Sequence, residues 1–311
     1  RAGAAAVFES VEALAASGLC DAVIVASPNY THRRVLEPLF DAGLHILCEK
    51  PLATTLDDCR WVVARAAQSD RVFWTAMEYR YMPPAAAFIE EIKGGAIGRL
   101  QMLSIREHRF PFLVKVADWN RFSRNTGGTM VEKCCHFFDL MRLITGSEAV
   151  RVYCSGAMDV NHVDERYGGE TPDIIDNSYT TVDFANGVRA LLDLSMFADG
   201  AENQEEITAV GDAARLDVLI PEGALVHSPR VGFRNAKQVT RRVIEVDQAA
   251  LDAGSHHGST FYQHQRFNAA ARGAGPVEVT ARDGMMAVAI GTAAEISARE
   301  HRVVEMAELG F

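Results

Sequence analysis

Lys50 is the first residue whose type and position could support chemistry. It follows the apolar run HILC, which predicts a buried strand, and it stands between Glu49 and Pro51. A lysine can accept a proton when burial or a nearby cation lowers its pKa from about 10.4 toward about 7 to 8. The alternative is a lysine that buries its aliphatic stem and pairs its ammonium with Glu49. The strand pattern leaves both interpretations open.

A second group of polar residues lies in the segment GGTMVEKCCHFFDLMRLITG. Its paired glycines precede a helical pattern that carries Glu132, His136 and Asp139. Glu132 and His136 are four residues apart and therefore share one helix face. On an otherwise apolar helix, these two side chains could face a site at a domain interface. The alternative is that His136 is a hydrogen-bonded histidine of the core.

The run Cys134-Cys135-His136 does not predict a metal site, because adjacent helical residues point to different faces and cannot readily chelate one tetrahedral ion. The six cysteines contain no CxxC pair, and a large chain rich in core residues does not need disulfides. We therefore expect reduced thiols, a cytoplasmic protein and no bound metal.

The composition bounds the class of protein. A chain of 311 residues with 48% hydrophobic content can form two domains with large cores. A formal net charge of -10 leaves no basic surface for phosphates, so no nucleic-acid partner is expected. No apolar run reaches the ~18 residues of a membrane span, and the first residues lack the layout of a signal peptide. No membrane association is expected.

The first part of the chain alternates strand and helix patterns. The apolar runs DAVIVAS, HILCEK and RVFWTAMEY predict strands, and the segments between them predict helices, the second capped by Thr54 or Thr55. This alternation is typical of a doubly wound parallel sheet, in which ligands lie outside the carboxyl ends of the strands. Those ends are predicted at residues 27–29, 49–51 and 78–80.

The pattern changes near residue 83 to one helix, alternating strands, and two helices near the end. Residues 178–197 predict a hairpin with Asn186-Gly187 as a type I′ turn. The prediction is an α/β chain: a Rossmann-type domain over residues 1–82, and over residues 83–311 an α+β domain with a large, mostly antiparallel sheet, for substrate binding and oligomerisation. Because one face of that sheet needs covering, we expect a homo-oligomer, either dimer or tetramer.

Several segments together resemble the glucose-fructose oxidoreductase, inositol dehydrogenase and rhizopine-catabolism (Gfo/Idh/MocA) family along nearly the whole chain. VFESVEAL followed by DAVIVASPNYTH is similar to the family's third-strand region, and CEKPLA to its Glu-Lys-Pro motif. EYRYMP resembles an Arg-aromatic-x-Pro step. GGTMVEKCCHFFDL resembles the Gly-Gly…Asp-x-x-x-His-x-x-Asp motif. GSTFYQHQRF and TARDGMMAVAIGTAAEISA resemble the closing segment. The order and spacing of these motifs make the resemblance specific.

The resemblance implies NAD or NADP as cofactor and a sugar, cyclitol or related polyol as substrate. Lys50 would transfer the proton, with His136 sharing that role, and the Lys50-Pro51 bond is often cis in the family. Glu132 and Arg80, with Lys50 and His136, would contact the substrate. The residues expected around the cofactor are Ser27, Pro28, Asn29, His32, Glu49, Lys50, Trp119 and Arg121.

The chain departs from the family pattern in three places. Position 132 is Glu where inositol dehydrogenases usually carry Asp, and Cys134 replaces the usual Gly. The family's first strand and its Gly-x-Gly-x-x-Gly turn are not contained in this sequence. We therefore expect the Rossmann domain to be truncated, with roughly 30 or more residues upstream of Arg1 in a complete protein.

The resemblance favours an inositol-2-dehydrogenase-like oxidoreductase that acts on CH-OH groups. Three alternatives on the same fold stay open: a glycoside hydrolase that uses NAD transiently, a reductase of a non-sugar substrate, and a nucleotide-sensing regulator without catalysis. A regulator needs neither Lys50 nor His136, so their joint presence argues against it. A scaffold that serves only oligomerisation is the remaining interpretation.

Overall fold

The computed structural model describes residues 3–254 and 256–311. In its first part, three parallel strands pair in the order β1-β2-β3 and alternate with helices. The strands are β1 (Ala22–Val25), β2 (His45–Cys48) and β3 (Phe73–Thr75), and the helices are α1 (Val11–Ala16), α2 (His32–Asp41) and α3 (Leu56–Ala67). The predicted Rossmann-type alternation is confirmed.

The second part is built on a nine-stranded sheet of order β11-β10-β9-β8-β4-β7-β6-β5-β12, in which β4 and β7 pair in parallel and the other neighbours are antiparallel. The predicted mostly antiparallel sheet is confirmed. Its strands are β4 (Leu100–His108), β5 (Ala149–Ala157), β6 (Asn177–Phe184), β7 (Arg189–Ser195), β8 (Glu205–Gly211), β9 (Ala214–Ile220), β10 (Ala224–Pro229), β11 (Thr240–Val243) and β12 (Val304–Glu305).

Helices cover this sheet and connect its strands. They are α4 (Pro83–Lys93), α5 (Ser123–Thr126), α6 (Thr129–Glu132), α7 (Cys135–Thr145), α8 (Gln248–Ala253), α9 (Ser259–Ala271) and α10 (Ala281–Glu300). Short 3-10 turns lie at Asn29–Thr31, Glu78–Tyr81, Val116–Arg121, His256–Gly258 and Met306–Leu309. Within the described ranges, no helix is both long enough and apolar enough to span a membrane.

Capping side chains decide where several helices begin. Helix α1 starts at Val11, because the Ser10 hydroxyl accepts a hydrogen bond from the Ala13 amide. Of the two candidate caps for α3, Thr55 is the one whose side chain accepts from the Asp58 amide. Helix α10 begins with a reciprocal capping box between Thr280 and Asp283.

The β6–β7 hairpin forms as predicted, but its turn is not type I′. That type needs positive φ at both central residues, whereas Asn186 is not left-handed and Gly187 has φ 87°. The Gly187 amide donates to the Phe184 carbonyl, and the Phe184 amide donates to Val188. This is a tight turn followed by a left-handed glycine, a common longer hairpin loop.

Two glycines on one face of α10 let this helix reach both parts of the molecule. A Cβ on Gly284 would lie 2.8 Å from the Thr75 side chain at the end of β3, and one on Gly291 would lie 2.5 Å from the Met130 carbonyl oxygen in α6. The helix therefore packs directly against the parallel sheet and against the segment that carries Glu132. The division of the chain at residue 82 stays a prediction.

Two predicted elements end earlier than expected. The strand predicted over RVFWTAMEY ends at Thr75, and Glu78–Tyr81 form a 3-10 turn instead. The helix predicted through Glu132 and His136 is interrupted, because α6 ends at Glu132 and α7 begins at Cys135. The prediction that both side chains share one helix face is therefore wrong in detail.

Candidate functional site

The interruption between α6 and α7 brings Lys50 and Glu132 together. The amide of Cys134 donates to the Thr129 carbonyl, five residues back, which widens the turn. The Glu132 carbonyl oxygen at this point accepts a hydrogen bond from Lys50 Nζ at 2.9 Å. The Lys50-Pro51 bond is cis, as the resemblance implied.

The Glu132 side chain is a buried carboxyl with spare hydrogen-bonding capacity. It is 7% exposed, and its Oε2 has no hydrogen-bond partner. Burial raises its pKa to about 7, although the positive charges of Lys50, Lys115 and Arg121 oppose the rise. Near neutral pH this group can therefore donate or accept a hydrogen bond.

The His136 imidazole is buried beside these groups. Its ring lies on the Tyr79 ring, with centroids 4.2 Å apart and planes inclined by 8°. Nδ1 is buried without a hydrogen-bond partner. Burial, followed by the positive charges of Lys50 and Lys133, holds the pKa of His136 well below its ordinary value. The ring is therefore neutral and has a nitrogen lone pair free to accept a proton.

A pair that the sequence did not predict lies next to this group. Glu78 accepts a hydrogen bond from Thr260, and its Oε1 is 3.0 Å from Nδ1 of His256. Burial would raise the pKa of Glu78, but His256, Thr260 and Lys50 together lower it. The pKa of Glu49 is raised, first by burial and then by the charge of Glu78. In the sequence, only the run His256-His257-Gly258 indicated that polar residues could border a ligand here.

Asn29 is the predicted cofactor residue with the clearest free donor. It follows β1 at the carboxyl edge of the parallel sheet, is 7% exposed, and its Nδ2 has no partner. Such edges are where nucleotides bind in doubly wound sheets. Ser27 and Pro28 form the preceding turn, where the Thr31 hydroxyl donates to both of them. This edge fits a dinucleotide.

His32 contacts two main-chain segments. It is fully buried, its Nδ1 lies 3.0 Å from the Pro51 carbonyl oxygen, and its Nε2 lies 3.1 Å from that of Ser27. Both ring nitrogens lie within hydrogen-bonding distance of main-chain oxygens, one after β1 and one after Lys50, and the neutral ring can donate to one of them at a time. The contact of His32 with the cofactor stays a prediction.

Trp119 and Arg121 lie on the segment that faces the end of β1. The Trp119 ring packs edge-to-face on Tyr30, with centroids 6.1 Å apart. Arg121 is 2% exposed; its Nε donates to Glu165 at 3.0 Å, and its buried Nη1 has no partner. Trp119 therefore lies beside the turn after β1, and Arg121 is close enough to Glu132 for its charge to oppose the rise of that pKa. Their contact with the cofactor stays a prediction.

Arg80, predicted to contact the substrate, is engaged by other parts of the fold. Its Nε and Nη2 each donate to the buried carboxylate of Asp139 at 2.5 Å, and its Nη1 donates to the Glu278 carbonyl at 3.0 Å. The guanidinium is thus engaged by α7 and the segment before α10. With these donors in use, Arg80 braces the fold, and a substrate contact is not supported.

The residues brought together can hold and move a proton. The Lys50 amino group lies on the Glu132 carbonyl, near the neutral imidazole of His136 and a carboxyl with a pKa of about 7. Of these groups, the Glu132 carboxyl titrates near neutral pH, where general acids and bases are effective. The arrangement suits removal of a proton from a hydroxyl group, or its return.

Two family models match this chain. The model described as the NAD-binding Rossmann fold of an oxidoreductase family matches residues 1–77, and the model of that family's C-terminal alpha/beta domain matches residues 89–306. Both belong to the Gfo/Idh/MocA family.

Similar proteins carry related names. Myo-inositol 2-dehydrogenase of Thermotoga maritima is 27% identical over 300 residues, covering 93% of this chain and 80% of that protein. The 1,5-anhydro-D-fructose reductase of Ensifer adhaerens is 27% identical over 303 residues, covering 96% and 83%. A solved structure of levoglucosan dehydrogenase with NADH and levoglucosan shares the fold, with TM-score 0.81 and 21% identity over 96% of this chain and 83% of that one.

The fold, the carboxyl edge of the parallel sheet and the two matched domains all indicate the same family. The chain belongs to the Gfo/Idh/MocA family of oxidoreductases and is an NAD(P)-dependent enzyme with an NAD-binding Rossmann fold and a C-terminal α/β domain.

Proposed function

We propose that this enzyme oxidises a CH-OH group of a sugar, cyclitol or related polyol, or reduces the corresponding ketone, in the manner of an inositol 2-dehydrogenase. The observation that carries the proposal is the placement of Lys50 Nζ on the Glu132 carbonyl, beside the neutral ring of His136. The names of the two relatives above, an inositol dehydrogenase and an anhydrosugar reductase, support this substrate class.

Bound NAD or NADP supplies the redox step by accepting or giving the hydride. The residues of this chain handle the proton and the substrate. The neutral amine form of Lys50 accepts the hydroxyl proton, and His136 shares that role. Glu132 accepts a hydrogen bond from a neighbouring hydroxyl through its unpartnered Oε2. Asn29 and Trp119 contact the cofactor, and Glu49 lies beside Lys50.

Pre-organisation is the main contribution of the fold to this reaction. The contact of His32 with the Pro51 carbonyl and the hydrogen bond from Lys50 to Glu132 leave the lysine little freedom. A base held in place converts an encounter into an intramolecular step, which lowers the barrier considerably. The buried surroundings of His136 also keep competing water away.

The experiment is a nicotinamide absorbance assay of the full-length protein with NAD or NADP and a panel of inositols, aldoses, ketoses and anhydrosugars. Reduction of the cofactor by one class establishes the dehydrogenase and its substrate type. Sugar turnover without net absorbance change indicates the alternative, a glycoside hydrolase that recycles NAD. Cofactor binding with no turnover of any compound indicates the nucleotide-sensing regulator.

A homo-oligomer also belongs to this proposal. The sheet face around β4 and β6 carries exposed apolar side chains, among them Met102 (57% exposed) and Tyr179 (63% exposed). Apolar surface of this kind on a sheet is typically covered by a second copy. Light scattering of the purified enzyme gives its mass, and a monomer would contradict this part of the proposal.

A further inference from the structure

Lys133 is a lysine in the core. It lies between α6 and α7 and is 4% exposed, yet the site described above does not use it. Its Nζ donates to the Tyr79 hydroxyl oxygen at 2.5 Å and is 2.9 Å from Oε1 of Glu107. An ammonium is costly to bury unless its partners are well placed. This ion pair therefore calls for a specific role.

Two carboxyls stand opposite each other beneath Lys133. Glu107 on β4 pairs in register with Glu205 on β8, and both side chains occupy core-facing positions. Burial, followed by the charge of Glu107, raises the pKa of Glu205. Nζ of Lys133 contacts this pair through Oε1 of Glu107. Gln204 donates to both carboxyls, and Arg109 lies 3.6 Å from Glu107.

Tyr79 links this charged cluster to the candidate catalytic group. Its ring is stacked on His136, and its hydroxyl is held by Lys133. Phe137 packs edge-to-face on the Tyr79 ring, with centroids 5.6 Å apart. Sliding or tilting of the Tyr79 ring would break its contact with Lys133, so this contact restrains the stacked His136 ring as well.

The stacking also determines which kind of role is possible. Hydrogen bonds to an imidazole lie in the plane of its ring, whereas Tyr79 lies over its face. No direct hydrogen bond joins the Tyr79 hydroxyl to the imidazole, so the cluster does not conduct protons to His136. Its influence is exerted through position and charge.

We propose that Lys133 is a positioning residue, which clamps Tyr79 against His136 and so holds the imidazole in place to accept the substrate proton. Its charge also contributes, after burial and Lys50, to the lowered pKa of His136. This inference rests on the proposed function for its effect on turnover. The geometry of the clamp does not depend on which polyol is the substrate.

The test uses two clamp variants of the full-length enzyme and one control. Lys133→Met combined with Glu107→Gln removes both members of the ion pair, while Glu205 keeps the hydrogen bond from Gln204. Tyr79→Phe keeps the ring and removes only the hydroxyl that Lys133 holds. Lys93→Met changes an exposed lysine of α4 and serves as the control. Urea unfolding identifies the variants that remain folded, and Tyr79→Phe keeps the test valid if the double variant does not fold.

The first readout is the titration of His136 by NMR, assigned by comparison with His136→Gln. Removing the Lys133 charge should move the titration to higher pH, because a nearby cation disfavours the imidazolium. This readout needs no substrate, so it stands even if the proposed reaction is wrong. An unchanged titration in the folded double variant would overturn the electrostatic part.

The second readout is kinetic. Both clamp variants should lower kcat by about 10- to 100-fold, because a small misplacement of a catalytic group has effects of this size. The KM for the cofactor should stay within about twofold, and the pH profile of kcat should shift in the double variant. Folded clamp variants with the kcat of the Lys93→Met control would overturn the positioning role.

Discussion

Lys50 Nζ donates a hydrogen bond to the main-chain carbonyl of Glu132 at 2.9 Å, across 82 residues of chain. The contact joins the loop after β2 to the widened turn between α6 and α7. Because the acceptor is a carbonyl oxygen, the contact persists whichever side chain stands at position 132. It places the ammonium independently of the titration of the Glu132 carboxyl.

Replacement of Lys50 by alanine should remove proton transfer while leaving the fold intact. We expect kcat to fall by about 10²- to 10⁴-fold, the usual contribution of a general acid or base. Cofactor affinity, measured by fluorescence titration, should change little. Lys93→Ala is the matched control, since that lysine is exposed on α4. A Lys50→Ala enzyme that keeps most of its kcat would contradict the assignment.

Glu132→Gln should change the pH dependence of substrate binding. The carboxyl has a pKa of about 7, and its ionised form is the better acceptor for substrate hydroxyls. The KM of the wild type should therefore fall as pH rises through 7, whereas the KM of the glutamine variant should stay flat there. Steady-state kinetics between pH 5.5 and 8.5, about 1.5 units on each side of that pKa, measures both curves.

Glu132→Gln should also change how the free energy of unfolding depends on pH. A carboxyl whose pKa is raised by folding binds its proton more tightly in the native state, so the wild type loses stability as pH rises from the ordinary pKa of the group toward about 7. Glu132→Gln lacks this loss. Urea unfolding at several pH values should show the difference, and parallel curves for the two proteins would speak against a raised pKa.

Arg80→Met should destabilise the protein, because it leaves the carboxylate of Asp139 buried and unpaired. Breaking a buried pair of this kind typically costs about 3–5 kcal/mol. Lys93→Met, which breaks the exposed pair with Glu90, should cost less than about 1 kcal/mol. The free energy of unfolding in urea measures both. A normal stability with a strongly raised substrate KM would restore the original prediction that Arg80 binds substrate.

Gly291→Ala should lower stability although alanine is the better helix former. The new Cβ would lie 2.5 Å from the Met130 carbonyl oxygen, a main-chain atom that cannot move aside easily. Overpacking costs about 1–3 kcal/mol, against a gain in helix propensity of about 1 kcal/mol. Gly275→Ala is the control, since its Cβ would meet the nearest atom at 3.7 Å. Thermal unfolding should separate the two, and equal Tm values would refute the close approach.

Much of the fold followed from the sequence, because its signals are local. Buried parallel strands show as short apolar runs bounded by prolines and glycines, and α10 shows as a long capped helix ending near Glu300. The motif around Lys50 also has a local cause, since its position at a strand end follows from the run that precedes it. The position of Lys50 just after β2 therefore agrees with the predicted strand end.

Tertiary structure decided the rest, because the contacts concerned join distant segments. The widened turn after Glu132 interrupts a helix whose sequence pattern is continuous, so periodicity could not predict it. The sequence predicts that Arg80 binds the substrate, whereas in the structure its guanidinium donates to Asp139. The burial of Glu107 follows from its place on the core-facing positions of β4. Its ion pair with Lys133 could not be predicted, because the partner of a buried charge is decided by the tertiary structure.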